Sequence, residues 1–119
     1  MTVDQILSTK GDTVYSIVST ISVYDAVKIM GEKNIGAILV IEDDLLKGIL
    51  SERDYARKIV LKGKSSKSTL VQEIMVSKVI TVKPTDDLDY CMELMSSNKI
   101  RHLPVVDENK VIGLISIGD

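Results

Sequence analysis

Residues 48–54 read GILSERD, and residues 113–119, 65 positions further along the chain, read GLISIGD. Both stretches have a glycine, two apolar residues, a serine and, three residues after the serine, an aspartate. The same offset aligns residues 14–54 with residues 79–119 without a gap, and most positions keep their apolar or polar character. Such self-similarity is typical of a supersecondary unit that occurs more than once. The sequence therefore predicts two copies of one unit in a chain of 119 residues.

Each copy predicts the order strand, helix, strand, strand, helix. Short β-rich runs at 15–18 and 79–82 come first, and Thr20 or Thr85 is placed to cap the helix that follows. Apolar residues at the spacing i, i+3, i+4, i+7 support both helices. Two extended runs around an acidic turn come next, at 37–41 and 45–50 in the first copy and at 102–106 and 110–116 in the second. We expect the copies to pack about a pseudo-twofold axis and to form clefts where equivalent edges meet.

The last helix of the unit is predicted over residues 51–62, with Tyr55 and Ile59 facing inward and Gly63 ending it. The second copy reaches Asp119 where the equivalent helix would begin, which indicates a truncated chain or one that borrows packing from a partner. A T-x-x-Q pattern, beginning at Thr2 or Thr69, precedes each copy and fits a capping box at the start of a short helix. The predicted division is a first repeat at 1–62, a linker at 63–68 and a second repeat at 69–119.

Composition excludes several classes of protein. The chain has 15 Lys and Arg against 17 Asp and Glu, and 45% of it is hydrophobic, which is typical of a globular domain. The longest apolar stretches fall far short of the roughly 20 residues that span a bilayer, and the first 12 residues lack the apolar centre of a secretion signal. The single cysteine, Cys91, suits a reducing compartment. We therefore expect a cytoplasmic protein that binds no membrane.

Few residue patterns in the sequence indicate catalysis or metal binding. The chain has one histidine, one cysteine and no glycine-rich phosphate loop, and its His, Cys and carboxylate residues lack metal-ligand spacing. The sequence therefore predicts no enzyme and no metal site. A net charge of −2, with four Tyr and no Phe or Trp, also argues against nucleic-acid binding. A basic run between residues 53 and 67 keeps that class open as a third hypothesis, which predicts strongly salt-dependent affinity.

The Ser-x-x-Asp string at 51–54 has two interpretations. It is an ordinary helix-start signal, in which the hydroxyl caps the first turn and the acid interacts favourably with the helix dipole. It also places a carboxylate where it can accept two hydrogen bonds from the vicinal diol of a ribose, with a glycine nearby that lets a ligand approach the backbone. Because the whole seven-residue pattern recurs at equivalent positions, we favour the second interpretation.

The repeat, its strands at Asn34–Ala37 and Lys99–Asp107 (KIRHLPVVD), and its two Gly-x-x-Ser-x-x-Asp strings resemble a tandem pair of CBS domains, named for cystathionine β-synthase and also called a Bateman module. This resemblance covers essentially the whole chain. It implies an α/β (α+β) fold of two pseudo-twofold-related repeats, each a small three-stranded sheet flanked by helices. It also implies a regulatory module that binds adenosine nucleotides between its repeats and commonly forms a homodimer.

The resemblance also implies site residues. In the family, the aspartate of the string holds the ribose hydroxyls, and basic residues before the Leu-Pro-Val strand hold phosphate. The first predicted cleft consists of Ser51, Asp54, Arg57, Lys58, Ile80, Thr81, Thr85, Arg101 and His102. The second, in which small residues replace the basic pair, consists of Val18, Thr20, Gly36, Ala37, Ser116 and Asp119.

The leading hypothesis is a signal-transduction module, with no required cofactor, in which AMP, ADP, ATP or NAD bridges the repeats as a regulatory ligand. The ligand would change their orientation or the dimer geometry, and an enzyme or transporter would be the regulated partner. A ligand can bias two arrangements only by the difference in its affinities for them, so no turnover is needed. The alternative is a ligand-independent dimerisation or partner-docking scaffold with empty clefts.

Overall fold

The computed structural model describes residues 1–118 and divides the chain into two compact units. The central unit is Tyr15–Val79, and the terminal unit combines Met1–Val14 with the chain from Ile80 onward. The helices are α1 (Val3–Lys10), α2 (Val23–Lys33), α3 (Glu52–Tyr55), a π-helical segment (Ala56–Val60), α4 (Val71–Ile74) and α5 (Leu88–Asn98). The strands are β1 (Ser16–Ile17), β2 (Ala37–Glu42), β3 (Leu45–Ser51), β4 (His102–Asp107) and β5 (Lys110–Ser116). This mixture confirms the predicted α+β class.

The central unit is built on a sheet in the order β1-β2-β3, with β1 parallel and β3 antiparallel to β2. The hairpin turns at Asp43 and Asp44, both of which have positive φ, a conformation that aspartate tolerates better than most residues. Helix α2 packs on the sheet through its predicted apolar stripe, because Val23, Ala26 and Met30 are buried. The core consists of Ile17, Val23, Ala26, Met30, Ile38, Val40, Leu50, Ile59, Val71 and Ile74.

The terminal unit has the antiparallel pair β4-β5, and among residues 1–118 the run 79–82 contributes one parallel bridge, Val82 to Val105, rather than the predicted strand. Proline explains the difference. In the central unit the N–H of Leu39 donates to the carbonyl of Tyr15 at 3.4 Å. The repeat places Pro104 at the position of Leu39, and proline has no N–H to donate. The ladder is therefore shorter in this unit.

A short helix completes each core, and in each unit it comes from a distant part of the sequence. In α1, Val3, Ile6 and Leu7 are buried with the core of the terminal unit, whereas Val71 and Ile74 of α4 are buried in the central unit. The α1 capping box is confirmed: Gln5 N–H donates to Thr2 Oγ1 at 3.3 Å, and Thr2 N–H donates to Gln5 Oε1 at 2.9 Å.

The predicted box at Thr69 is wrong. Thr69 is buried, so its hydroxyl needs a partner within the protein. It donates to the carbonyl of Ser65 at 2.7 Å and does not cap the helix. Helix α4 begins one residue later than that box requires, and the N–H of Leu70 donates to the Glu73 carboxylate at 2.7 Å.

The predicted caps at Thr20 and Thr85 are also wrong, because both helices begin later. Ser22 caps α2 by accepting from the Asp25 N–H at 3.1 Å, and Asp87 caps α5 through an equivalent bond of 2.8 Å. The residues before each helix are held extended by pairing with the segment that leads into the short helix. Ser22 bridges Leu70 in one unit, and Asp87 bridges Thr2 in the other.

Candidate functional site

The Ser51–Asp54 string lies where β3 ends and α3 begins, and it forms a complete capping box. The Asp54 N–H donates to Ser51 Oγ at 3.1 Å. In return, both the N–H and the Oγ of Ser51 donate to Asp54 Oδ2 at 3.0 Å. The helix-start interpretation of this string is therefore correct, and any ligand role must be compatible with it.

The second oxygen of Asp54 is paired with a lysine. Lys58 Nζ lies 3.1 Å from Asp54 Oδ1, and the Asp54 side chain is only 13% exposed. Lys58 Nζ also donates to the carbonyl of Ile74, at 2.8 Å. The carboxylate is thus partnered on both oxygens within the central unit, and a diol that binds it must share or replace the lysine contact.

The predicted helix 51–62 starts where expected but changes its hydrogen-bonding pattern. After α3, the N–H of Leu61 donates to Ala56 O at 3.0 Å, the spacing of a π-helix. Ile59 is buried as predicted and Tyr55 is half-buried. The helical segment ends at Val60, two residues before the predicted end at residue 62, and Gly63 follows with a φ of 66°. Short π-helical segments occur often at functional sites, and this one carries Lys58.

The two glycines of the repeated string make room for protein atoms rather than for a ligand. A Cβ built at Gly48 would lie 2.6 Å from Met75 Sδ and 3.0 Å from the carbonyl of Val76. A Cβ at Gly113 would lie 2.7 Å from a methyl carbon of Leu7. Part of the recurrence therefore reflects packing against the segment around each short helix, so the sequence expectation for these glycines is wrong.

Each serine of the repeated string lies opposite the first residue of the neighbouring strand. Ser51 is in register with Ala37 in the central unit, and Ser116 is in register with His102 in the terminal unit. The predicted clefts combine residues of both units, so their joint geometry stays a prediction. Asp119 lies outside the described residues.

The predicted ligand residues differ in how accessible they are. The exposed ones are Val18, Thr20, Arg57, Thr81, Thr85 and Arg101. The half-buried ones are Gly36, Ser51, Asp54, Lys58, Ile80, His102 and Ser116, whereas Ala37 is buried. Because this burial includes its backbone, Ala37 offers almost no surface for contact with a ligand.

Two features of the central unit have no signal in the sequence. The Glu42 carboxylate accepts from the N–H and the Oγ of Ser19, both at 2.9 Å, and these two bonds lower the pKa of Glu42 below its ordinary value. Ser19 and Glu42 are 23 residues apart, so no local pattern in the sequence indicates this contact. The second feature is a groove of about 220 Å³ lined by Tyr24, Val27, Lys28, Tyr55 and Ser66.

Other chemistry has little support within residues 1–118. In this part of the chain, no group of three or more His, Cys, Asp or Glu residues is placed to hold a metal ion. Cys91 is buried, and burial raises the pKa of its thiol. The described helices also include none with the length and apolar character needed to cross a bilayer.

Two α+β units, each built on a hairpin that leads into the same sequence string, define a tandem-repeat module. The chain belongs to the CBS-domain family: the family model described as CBS domain matches residues 3–61 and 71–119. The resemblance stated from the sequence is thereby confirmed.

Relatives in sequence and structure agree with this family. A mitochondrial CBS domain-containing protein of Arabidopsis thaliana, CBSX3, is 50% identical over 103 residues, which cover 82% of this chain and 50% of the relative. The chain thus matches about half the length of that protein. The structure of a CBS-domain protein from Burkholderia ambifaria is similar with a TM-score of 0.96 and 54% identity, over 99% of this chain and 89% of the other.

A third similar structure contains ligands. It is the CBS domain pair of protein MJ0100 in complex with 5′-methylthioadenosine and S-adenosyl-L-methionine. The TM-score is 0.86 and the identity 28%, over 99% of this chain and 90% of that one.

Proposed function

We propose that this chain is a regulatory, non-enzymatic module that senses an adenosine-containing ligand, with AMP, ADP, ATP and NAD as the candidates. The ligand would lie between the repeats, with its ribose diol on Asp54 and any phosphate near Arg101 and His102. Binding would favour one arrangement of the module or of a homodimer, and so act on a regulated enzyme or transporter. We expect this to occur in the cytoplasm, although the Arabidopsis relative is mitochondrial.

The proposal rests on the position and the accessibility of the Asp54 carboxylate. This carboxylate belongs to the motif that recurs in the second repeat, the Asp54 side chain is 13% exposed, and its Oδ1 is paired with the partly exposed side chain of Lys58. A carboxylate with an accessible oxygen is suited to accept charge-assisted hydrogen bonds from a sugar. The MJ0100 pair supports this choice of ligand class, since methylthioadenosine and S-adenosylmethionine both contain the adenosine ribose.

Calorimetric titration of ligand-stripped protein with AMP, ADP, ATP and NAD tests the proposal. We expect at least one ligand to bind, and Asp54→Asn to weaken it, because each lost charge-assisted bond is worth roughly 1.5–3 kcal/mol. Ser22→Ala is the matched control: it removes a helix cap of the same unit, at a residue outside the predicted clefts, and leaves the Asp54 carboxylate in place. Absence of binding up to millimolar ligand would rule the proposal out, and equal losses of affinity in both variants would assign the effect to lost stability rather than to a ligand contact.

The second candidate is a ligand-independent scaffold for dimerisation or partner docking. It is favoured by the apolar side chains of Val60 and Leu61, which are 57% and 77% exposed at the end of the π-helical segment. Sedimentation analysis separates the two candidates. A dimer whose mass and shape stay unchanged with saturating nucleotide favours the scaffold.

A further inference from the structure

The Lys58 side chain joins the motif to helix α4. Its ammonium lies 3.1 Å from Asp54 Oδ1 and donates to the carbonyl of Ile74 at 2.8 Å. Ile74 is the last residue of α4, where carbonyls need a donor from outside the helix. The Lys58 side chain is 42% exposed, so water and ligands can reach it.

The hydrogen-bonding capacity of Asp54 limits what else it can accept. A carboxylate offers about four acceptor positions, two on each oxygen. Oδ2 already accepts from the N–H and the Oγ of Ser51, and Oδ1 accepts from Lys58. One position is left, on Oδ1, whereas a ribose diol has two hydroxyl groups to donate. Both hydroxyls can bind only after Lys58 has left.

We propose that Lys58 is an affinity-determining residue of this site, a latch that competes with a ribose diol for Asp54 Oδ1. The inference rests on the proposed function and gives a specific role to Lys58, which the sequence places in the first predicted cleft. A ligand that donates both hydroxyls of a vicinal diol displaces the ammonium, whereas a ligand that has only one of these two hydroxyls leaves it in place.

Displacing Lys58 also removes its bond to Ile74, so occupation of Asp54 is coupled to the segment after α4. The next two residues pack closely on β3. Met75 fills the space beside Gly48, and Val76 pairs with Ile49 through bonds of 3.0 and 2.9 Å. The latch thus connects the ribose contact with the place where this segment meets the sheet.

Calorimetric titration with adenosine and 2′-deoxyadenosine tests the latch, because neither has a phosphate that Lys58 could bind. We expect Lys58→Met to bind adenosine roughly fivefold more tightly than the natural protein, the range of a partly exposed ion pair. The gain should be absent for 2′-deoxyadenosine. Lys58→Arg should weaken adenosine binding, since a guanidinium can pair with the carboxylate through two bonds.

Lys62→Met is the matched control, since it removes the same charge from an exposed position four residues away and should leave adenosine affinity unchanged. Far-UV circular dichroism establishes that each variant is folded. Adenosine affinity that is unchanged or lower in Lys58→Met overturns the latch and leaves the proposed function standing. The absence of binding in every variant overturns both. A loss seen with AMP alone assigns Lys58 to phosphate and also overturns the latch.

Discussion

Replacing Gly48 with alanine should destabilise the protein, although a glycine-to-alanine change in a strand would ordinarily help. The added Cβ would lie 2.6 Å from Met75 Sδ, 3.1 Å from Met75 Cγ and 3.0 Å from the carbonyl of Val76. The methionine can move at a moderate cost, but the carbonyl is tied by its bond from Ile49 N–H at 3.0 Å. Overpacking of this kind costs about 1–3 kcal/mol, and we expect about 2 kcal/mol of lost unfolding free energy.

Urea unfolding followed by far-UV circular dichroism measures this loss, with Gly31→Ala as the matched control. Gly31 lies inside α2, and among the described residues nothing comes within 4 Å of a Cβ built there. That variant should therefore be more stable by about 0.5–1 kcal/mol. Gly48→Ala should cost less stability in a Met75→Ala background than in the natural protein, because the sulfur contact is then absent. The difference between the two costs measures the coupling between the two sites. If Gly48→Ala is as stable as Gly31→Ala, the close packing described at β3 is wrong.

Three further predictions concern the caps, an acid and the thiol. Ser22→Ala should lower the unfolding free energy by about 1 kcal/mol and Thr20→Ala by less than about 0.5 kcal/mol, and urea midpoints that shift equally would contradict the assigned cap. The bonds from Ser19 lower the pKa of Glu42, so their contribution is present above the ordinary glutamate pKa and is lost as the pH falls through the lowered one. Glu42→Gln should accordingly flatten the fall of urea midpoints below about pH 4.5, and an unchanged slope would refute this. Cys91 should react with a disulfide reagent far more slowly in the folded protein than in urea, because burial raises the pKa of its thiol; rapid labelling would show that the core opens.

Much of the fold was predictable because the deciding patterns are local. Hydrophobic periodicity located α2 and α5, and alternation around acidic turns located both hairpins to within a residue or two. The errors fell where distant segments decide the outcome. Thr20 is a good capping residue by type, but pairing between Ser22 and Leu70, which are 48 positions apart, keeps the chain extended past it. Pro104 in β4 likewise acts on a distant segment, because it lacks the N–H that would pair with the run at 79–82.

At the candidate site, the helix cap was predictable from the sequence, whereas the contacts with distant residues were not. The spacing of Ser51 and Asp54 predicts a capping box, and the structure forms it. Their role in ligand binding, expected from the recurrence of the string and from the family resemblance, stays a prediction. The Lys58 contact to Ile74 was out of reach, because it depends on a π-helical turn and on a helix that begins 13 residues later. Similarly, no local signal indicated that Met75 and Leu7 occupy the space beside the two glycines.

Recurrence of the Gly-x-x-Ser-x-x-Asp string is therefore weak support, by itself, for a ligand site. The glycine is explained by packing, and the serine together with one aspartate oxygen is explained by the helix cap, so both would recur in a protein that binds nothing. What the cap does not use is Asp54 Oδ1, which is held by a side chain that is 42% exposed. Because the cap occupies Oδ2 alone, a ligand bound as we propose would take Oδ1 without unwinding α3. The cost would be the loss of the Lys58 contacts, which are the ion pair to Asp54 Oδ1 and the hydrogen bond to the Ile74 carbonyl. In the proposed function the same string serves as both cap and receptor, and the oxygen that faces Lys58 is where the two roles separate.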